Sequence, residues 1–267
     1  MGEIAKIRHL TDIRPIDYHS VNELFTCRSA AHGDAVLKRC NTSDAEFAAE
    51  LNTLREYGGR RFCRVLEYDS DNKIMLLERV TPGTRLKAEP SLERRLDAFA
   101  SLFQGLHIEP KNAAPYPSCA DRICRAADFL LNRSDCRGLH GYAYALRAKE
   151  LCLSLSERYP KKVLLHGDLH FDNILKNSAG GYTIIDPHGV IGDPIFDVPR
   201  YILNEFWDYR GTFPAVIGGL SRRLNISEDV LRQGFFIEAV LSTSWDIEDG
   251  NFKNTDDIAF AASLLEG

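Results

Sequence analysis

Asp168, Asn173 and Asp186 are the residues whose types and spacing are best suited to chemistry in this chain. They follow a short apolar strand, Val163, Leu164 and Leu165, and a polar loop from His166 to Asn173. A β-hairpin comes next, with arms Ile174-Leu175-Lys176 and Tyr182 to Ile185 and a turn-rich link, Asn177-Ser178-Ala179-Gly180-Gly181. Asp186 closes the second arm, so two carboxylates and an amide are expected at the mouth of one hairpin. Such a set can hold a divalent metal through oxygen and place a base beside it. A single loop Asp is ordinarily spent on local backbone capping. Three oxygen-bearing side chains in register ask for more than capping.

The elements that must position these residues can be read around them. Glu23 to Ser29 and Ala35 to Arg39 read as strands joined by a turn at Ala31 to Asp34. Asn41 to Asp44 offers N-caps to a helix in which Phe47, Leu51 and Leu54 face a core, and Gly58-Gly59 stops it. Lys38 lies inside the second strand beside Val36 and Leu37, where an ammonium is costly to bury unless paired. Glu46 and Glu50, four apart on one face of the following helix, are both available partners. Strands are expected at Val65 to Tyr68 and Ile74 to Glu78. Thr81-Pro82-Gly83-Thr84 breaks the pattern and reads as a hinge. Helices are expected over residues 91–107, from Ser118 to Asn132 and from His140 to Arg158.

The segment His166-Gly167-Asp168-Leu169-His170-Phe171-Asp172-Asn173 resembles the catalytic loop of the aminoglycoside phosphotransferases, relatives of the protein kinases, whose own loop runs His-Arg-Asp, four residues, Asn. Ile185-Asp186-Pro187 stands where protein kinases carry Asp-Phe-Gly. The run from Asp186 to Pro194 is similar to the streptomycin 6-kinase and hydroxyurea phosphotransferase branch. The resemblance implies an α+β, bilobal protein-kinase-like fold: a small N-terminal sheet lobe over residues 1–80 and a larger, mainly helical lobe over 81–267. It implies ATP as co-substrate and Mg2+ as cofactor, with Asp168 as catalytic base and Asn173 and Asp186 as metal ligands. It pairs Lys38 with the nucleotide phosphates and with Glu50 rather than Glu46. Adenine would be held by backbone groups of the hinge, Glu78 to Val80.

Departures from the pattern matter too. The chain has no Gly-x-Gly-x-x-Gly loop and no Walker A loop. The corresponding stretch, Tyr18 to Glu23, leaves Ser20 and Asn22 as the expected phosphate contacts. No Ala-Pro-Glu follows Asp186, which disfavours a protein kinase. Asp193 either braces the metal loop or caps a turn at Pro194, and Asp197 is expected to be structural.

Composition sets the outer bounds. The chain has 267 residues, is 44% hydrophobic and carries a net charge of −5. That is ample for a core and a poor match to nucleic acid. The N-terminus carries Glu3, Lys6 and Arg8 and no long apolar run, position 6 is Lys where a myristoylation motif wants Ser or Thr, and no segment suits a membrane span. A soluble, cytoplasmic protein with a small-molecule partner is expected. Cys119, Cys124, Cys136 and His140 are spaced too widely for a Cys-x2-Cys zinc knuckle, and His166 and His170 lie in a loop, so reduced thiols and a structural His166 are expected in place of zinc. Near the C-terminus Asp246, Glu248, Asp249, Asp256 and Asp257 face Lys253 alone, which suits either a cationic acceptor or a solvated face. The leading function is transfer of the γ-phosphoryl group to a hydroxyl of a streptomycin-like aminoglycoside. The alternatives are a housekeeping kinase of a sugar, amino sugar or other small metabolite, and a nucleotide-binding regulator without turnover.

Overall fold

A computed structural model describes residues 9–17, 21–133, 141–248, 250 and 256–265. In chain order the elements are β1 (Leu10–Pro15), β2 (Glu23–Ser29), β3 (Gly33–Arg39), α1 (Asp44–Tyr57), β4 (Val65–Asp69), β5 (Ile74–Glu78), β6 (Pro82–Arg85), α2 (Leu92–Phe103), α3 (Cys119–Asn132), α4 (Gly141–Arg158) and β7 (Val163–Leu165), followed by β8 (Ile174–Asn177), β9 (Tyr182–Ile184), β10 (Val190–Gly192), α5 (Val198–Asp208), α6 (Phe213–Leu224), α7 (Glu228–Glu248) and α8 (Asp256–Ser263). They form two compact units. The first comprises the chain to Ala88 with Pro110–Pro115 and Asp172–Gly189; the second comprises Glu89–Glu109, Tyr116–Phe171 and the chain from Val190.

The first unit contains an antiparallel five-stranded sheet of order β1-β2-β3-β5-β4 and a three-stranded sheet of order β6-β8-β9. The two-residue period of a strand decides its chemistry. Cys27, Ala35, Leu37, Ile74 and Leu76 pack together as a buried cluster. On the alternate positions Leu24 pairs with Lys38, Thr26 with Val36, and Val36 with Leu77, so these five share one face. Helix α1 begins at a capping box, Ser43 accepting from the Glu46 amide while Glu46 reaches back, and ends at Gly58 with φ 56. That box occupies Glu46 and leaves Glu50 as the buried acid of the helix.

The unit differs from the expected division of the chain and gains a strand that was not expected. The boundary near residue 80, with everything from 81 onward in one lobe, does not follow the contacts. β6 replaces the expected hinge and pairs with β8, Pro82 opposite Asn177, while Ile184 donates to Arg61 and accepts from Cys63. These main-chain bonds tie residues 172–189 to the first unit. The sequence also gave no sign of β1, because five of its six residues are exposed and no buried face imposes an alternating pattern.

The second unit is mainly helical, with a small antiparallel pair, β7 and β10. Helix α2 stops at Phe103, one turn short of the expected end, where Gln104 leaves helical geometry. α7, 21 residues long, is buried over most of its length and packs against α3, α4, α5, α6 and α8, as suits a helix apolar nearly all round. Within this unit Arg95 is only 2% exposed. Its Nε and Nη2 donate to Glu205 at 2.7 and 2.9 Å, Tyr201 donates to the same carboxylate at 2.8 Å, and the guanidinium lies 4.4 Å above Tyr209. A buried charge left alone costs more than the pair is worth. Glu205→Ala should therefore cost about 3–5 kcal/mol in urea unfolding, whereas the double replacement Arg95→Met with Glu205→Leu should recover most of that loss.

Candidate active site

In the first unit a cavity opens against the shared face of β2, β3 and β5. Its apolar wall includes Ile16, Leu24, Val36, Leu77, Leu175 and Ile185, and its polar residues include Lys38, Glu50, Asn173 and Asp186. Lys38 is 3% exposed. Its Nζ donates to both oxygens of Glu50, at 2.6 and 2.8 Å, and also to Oδ1 of Asp186. Burial by itself would drive the ammonium to lose its proton. Glu50 and Asp186 more than reverse that, and the pKa is held above its ordinary value. For Glu50 burial dominates: its carboxyl is pushed up to about 7 although Lys38 pulls the other way.

The backbone makes this convergence possible. Ile185 donates to the Asn173 carbonyl at 3.0 Å, which closes the hairpin mouth and sets Asn173 and Asp186 in the same cavity wall. Asp186 adopts φ 59, a left-handed conformation that Asp tolerates better than most residues. Gly189 then passes so close to α1 that a Cβ there would lie 2.8 Å from the Ala49 carbonyl oxygen and closer still to Thr53 Oγ1. Only glycine lets the chain pass there while the carboxylate of Asp186 points at Lys38.

Other expected residues fall out differently. Glu78 and Val80 do line the cavity, with Arg79 between them. The Glu78 amide donates to the Arg64 carbonyl at 2.9 Å and its carboxylate pairs with Arg64 at 3.1 Å. Asn22 caps the chain, accepting from the Asn41 amide at 3.0 Å. Ser20 lies outside the described residues, as do Cys136, His140 and Asp249. Asp246 and Glu248 are exposed on the last turns of α7. Cys40, Cys63 and Cys152 are pushed up to about 12 by burial, so these thiols stay protonated.

Asp168 belongs to the second unit, and its surroundings there were not anticipated. Its amide donates to His166 Nδ1 at 3.1 Å, which makes His166 a holder of the loop. Its Oδ1 accepts from Arg200 Nε at 2.6 Å, and Arg200 Nη1 donates to Glu238 at 3.3 Å. Arg122 donates to the Gly167 carbonyl at 3.0 Å, and the guanidinium carbons of Arg122 and Arg200 lie 4.6 and 5.4 Å from the Trp245 ring. Burial pushes the Glu238 carboxyl up to about 7 against the pull of Arg200 and Arg122. A signal for these residues existed. Arg200 interrupts the apolar run Val198 to Leu203, and Glu238 is the one acid between Phe235 and Leu241, and a charge inside such a run needs a partner.

Asp197 is the brace of the loop from His166 to Asn173. Its Oδ2 accepts from the His166 amide at 2.8 Å and lies 3.0 Å from His107 Nε2, while Oδ1 accepts from the Gly167 amide at 2.8 Å. Asp193, the other candidate brace, instead accepts from the Ile195 amide at 3.1 Å and the Lys161 amide at 3.3 Å, capping the turn at Pro194. Burial raises the Asp197 pKa, but His107, His166 and the Gly167 amide outweigh it and hold the carboxyl below its ordinary value. Its contribution to stability is therefore present above about pH 4 and is lost as pH falls through the lowered native value. Asp197→Asn should cost about 3 kcal/mol near neutrality, and the gap from the parent protein in urea unfolding should narrow as pH falls below about 4.

Comparison with known proteins gives the family. The family model described as aminoglycoside/hydroxyurea antibiotic resistance kinase matches residues 9–250. A streptomycin 6-kinase of Streptomyces griseus is 29% identical over 221 residues, covering 77% of this chain and 68% of that protein. A hydroxyurea phosphotransferase of Kitasatospora aureofaciens is 26% identical over 265 residues, covering 92% and 73%. Among solved structures, a thermostable mutant of aminoglycoside phosphotransferase APH(4)-Ia in complex with ADP and hygromycin B superposes with a TM-score of 0.68 at 17% identity, over 99% of this chain and 95% of that one. Choline kinase LicA of Streptococcus pneumoniae does so with a TM-score of 0.66 at 13% identity, over 99% and 95%. These two likenesses show the protein-kinase-like fold, and the family match extends over nearly the whole chain. The chain thus belongs to the aminoglycoside/hydroxyurea antibiotic resistance kinases and is a phosphotransferase.

Proposed function

We propose that this phosphotransferase moves the γ-phosphoryl group of ATP to a hydroxyl of a streptomycin-like aminoglycoside and so inactivates the antibiotic. The observation that carries the reading is the buried ammonium of Lys38, held by Glu50 and Asp186 beside the apolar wall of one cavity. An apolar wall suits a purine, and a fixed ammonium suits its phosphates. Glu78 to Val80 would meet the adenine edge through main-chain groups. Asn173 and Asp186 supply the oxygen donors that Mg2+ prefers, one amide and one carboxylate, and would hold it. The ion, when bound, neutralises charge on the phosphate oxygens.

In the transfer step Asp168 orients the acceptor hydroxyl and takes its proton. The acceptor oxygen bonds to the γ-phosphorus as the bond to the β–γ bridging oxygen breaks, and ADP leaves. Streptomycin is favoured as acceptor by the relative named for it. Hydroxyurea is the second reading, favoured by a relative whose similarity spans 92% of this chain. Asp246 and Glu248 would assist a cationic acceptor only from the protein surface.

A screen of ATP consumption over streptomycin, other aminoglycosides, hydroxyurea and simple sugars tests the acceptor. Stimulation by none of them would remove the antibiotic reading. Asp168→Asn should lower kcat by about 10²- to 10⁴-fold while leaving the Kd for ATP near its parent value; equal losses in both would deny Asp168 the role of base. Asp186→Asn should shift the magnesium midpoint for ATP binding to higher concentration, since an amide lacks the charge a carboxylate gives the metal. An unmoved midpoint would take Asp186 out of the metal site.

A further inference from the structure

The side chain of Asp168 is aimed by a different part of the chain from its backbone. The backbone is held within and around the loop: His166 receives the Asp168 amide, Asp197 receives the amides of His166 and Gly167, and Arg122 holds the Gly167 carbonyl. The carboxylate is met from α5, by Nε of Arg200 at 2.6 Å on Oδ1. Arg200 is in turn fixed at a second point, Nη1 to Glu238 of α7 at 3.3 Å, and its guanidinium lies 5.4 Å from the Trp245 ring on the same helix. The side chains of Arg200, Asp168 and Glu238 are 17%, 13% and 10% exposed, so water competes weakly for these bonds.

We propose that Arg200 is a positioning residue for phosphoryl transfer, fixing the rotation of the Asp168 carboxylate so that Oδ1 is held and Oδ2 is the oxygen that receives the acceptor's proton. The inference rests on the reading of Asp168 as the base. A guanidinium suits this task because its planar fork reaches Asp168 and Glu238 at once, which the point charge of lysine cannot reproduce. The groups facing the Asp168 carboxylate and its arginine include Arg200 from α5, Glu238 and Trp245 from α7, Arg122 from α3 through Gly167, and His170 of the loop, whose Nε2 is 3.4 Å from Oδ2. Arg200 also offsets the charge of Asp168 at close range. Glu238 sits one step removed and acts through Arg200.

The test compares Arg200→Ala, Arg200→Lys, Glu238→Gln and Asp168→Asn in the full chain, with ATP and streptomycin, or hydroxyurea where the acceptor screen selects it. Arg200→Ala should lose about 10²-fold in kcat with little change in the KM for ATP, the signature of a group that matters in the transition state. Guanidinium ion added at low concentration should restore part of that kcat, which a purely structural role would not allow. Arg200→Lys should stay well below the parent enzyme, and Glu238→Gln should fall between the two. If Arg200→Ala does not fold, Arg200→Lys decides: parental kcat in that variant overturns the proposal. Parental kcat in Arg200→Ala, or a lost kcat that guanidinium does not raise, overturns it as well. Should Asp168→Asn itself retain full turnover, the reading of the base fails first, and the two failures are told apart by that variant alone.

Discussion

Lys38 carries an ammonium at 3% exposure, and the first unit is arranged around what that charge requires. Desolvation alone would neutralise it. Retaining it takes two carboxylates, and they come from separate elements: Glu50 from α1 and Asp186 from the end of the hairpin formed by β8 and β9. The strand carrying Lys38 must therefore be in register with β2 and β5, α1 must start at Ser43 so that Glu50 faces inward, and the chain after Asp186 must pass α1 at Gly189. Each of these is a local device. The buried charge makes them interdependent, because the loss of any one strands an ion in an apolar wall.

The second unit solves a related problem in another way. The loop that follows β7 leaves its amides to be satisfied individually. Asp197 takes two of them and meets His107, so one buried carboxylate stands in for a stretch of secondary structure. Arg200, three residues further along, reaches the Asp168 carboxylate. The start of α5 thus governs both the main chain of the loop and its Asp168 side chain. The same helix, through Glu205, neutralises the buried Arg95 of α2. Charge pairing rather than apolar packing alone registers these helices, while α7 supplies the apolar body against which they lie.

Much of this was legible in the residues themselves. The strands β2 to β5, the capping of α1 and the hairpin arms follow from short-range signals: period two, N-caps among Asn41 to Asp44, Gly58, and the turn at Asn177 to Gly181. The spacing of Asp168, Asn173 and Asp186 carried the family, and the family carried Lys38 with Glu50. Elements without a buried face left no pattern, as with the exposed β1. Phosphate contacts are equally weakly marked in loop composition, where Asn22 accepts from the Asn41 amide.

The amino-acid sequence by itself determined which residues could do the chemistry, because side-chain types at fixed spacings in a loop and hairpin are a local property of the chain. It also determined the class of fold that carries them. Only the tertiary structure decided which buried charges meet. Arg200 with Asp168 and Glu238, and Asp197 with the amides at 166 and 167, join residues some 30 positions or more apart. A lone charge in an apolar run announces that it needs a partner. Which partner it finds depends on how helices and loops pack, and no short-range pattern records that.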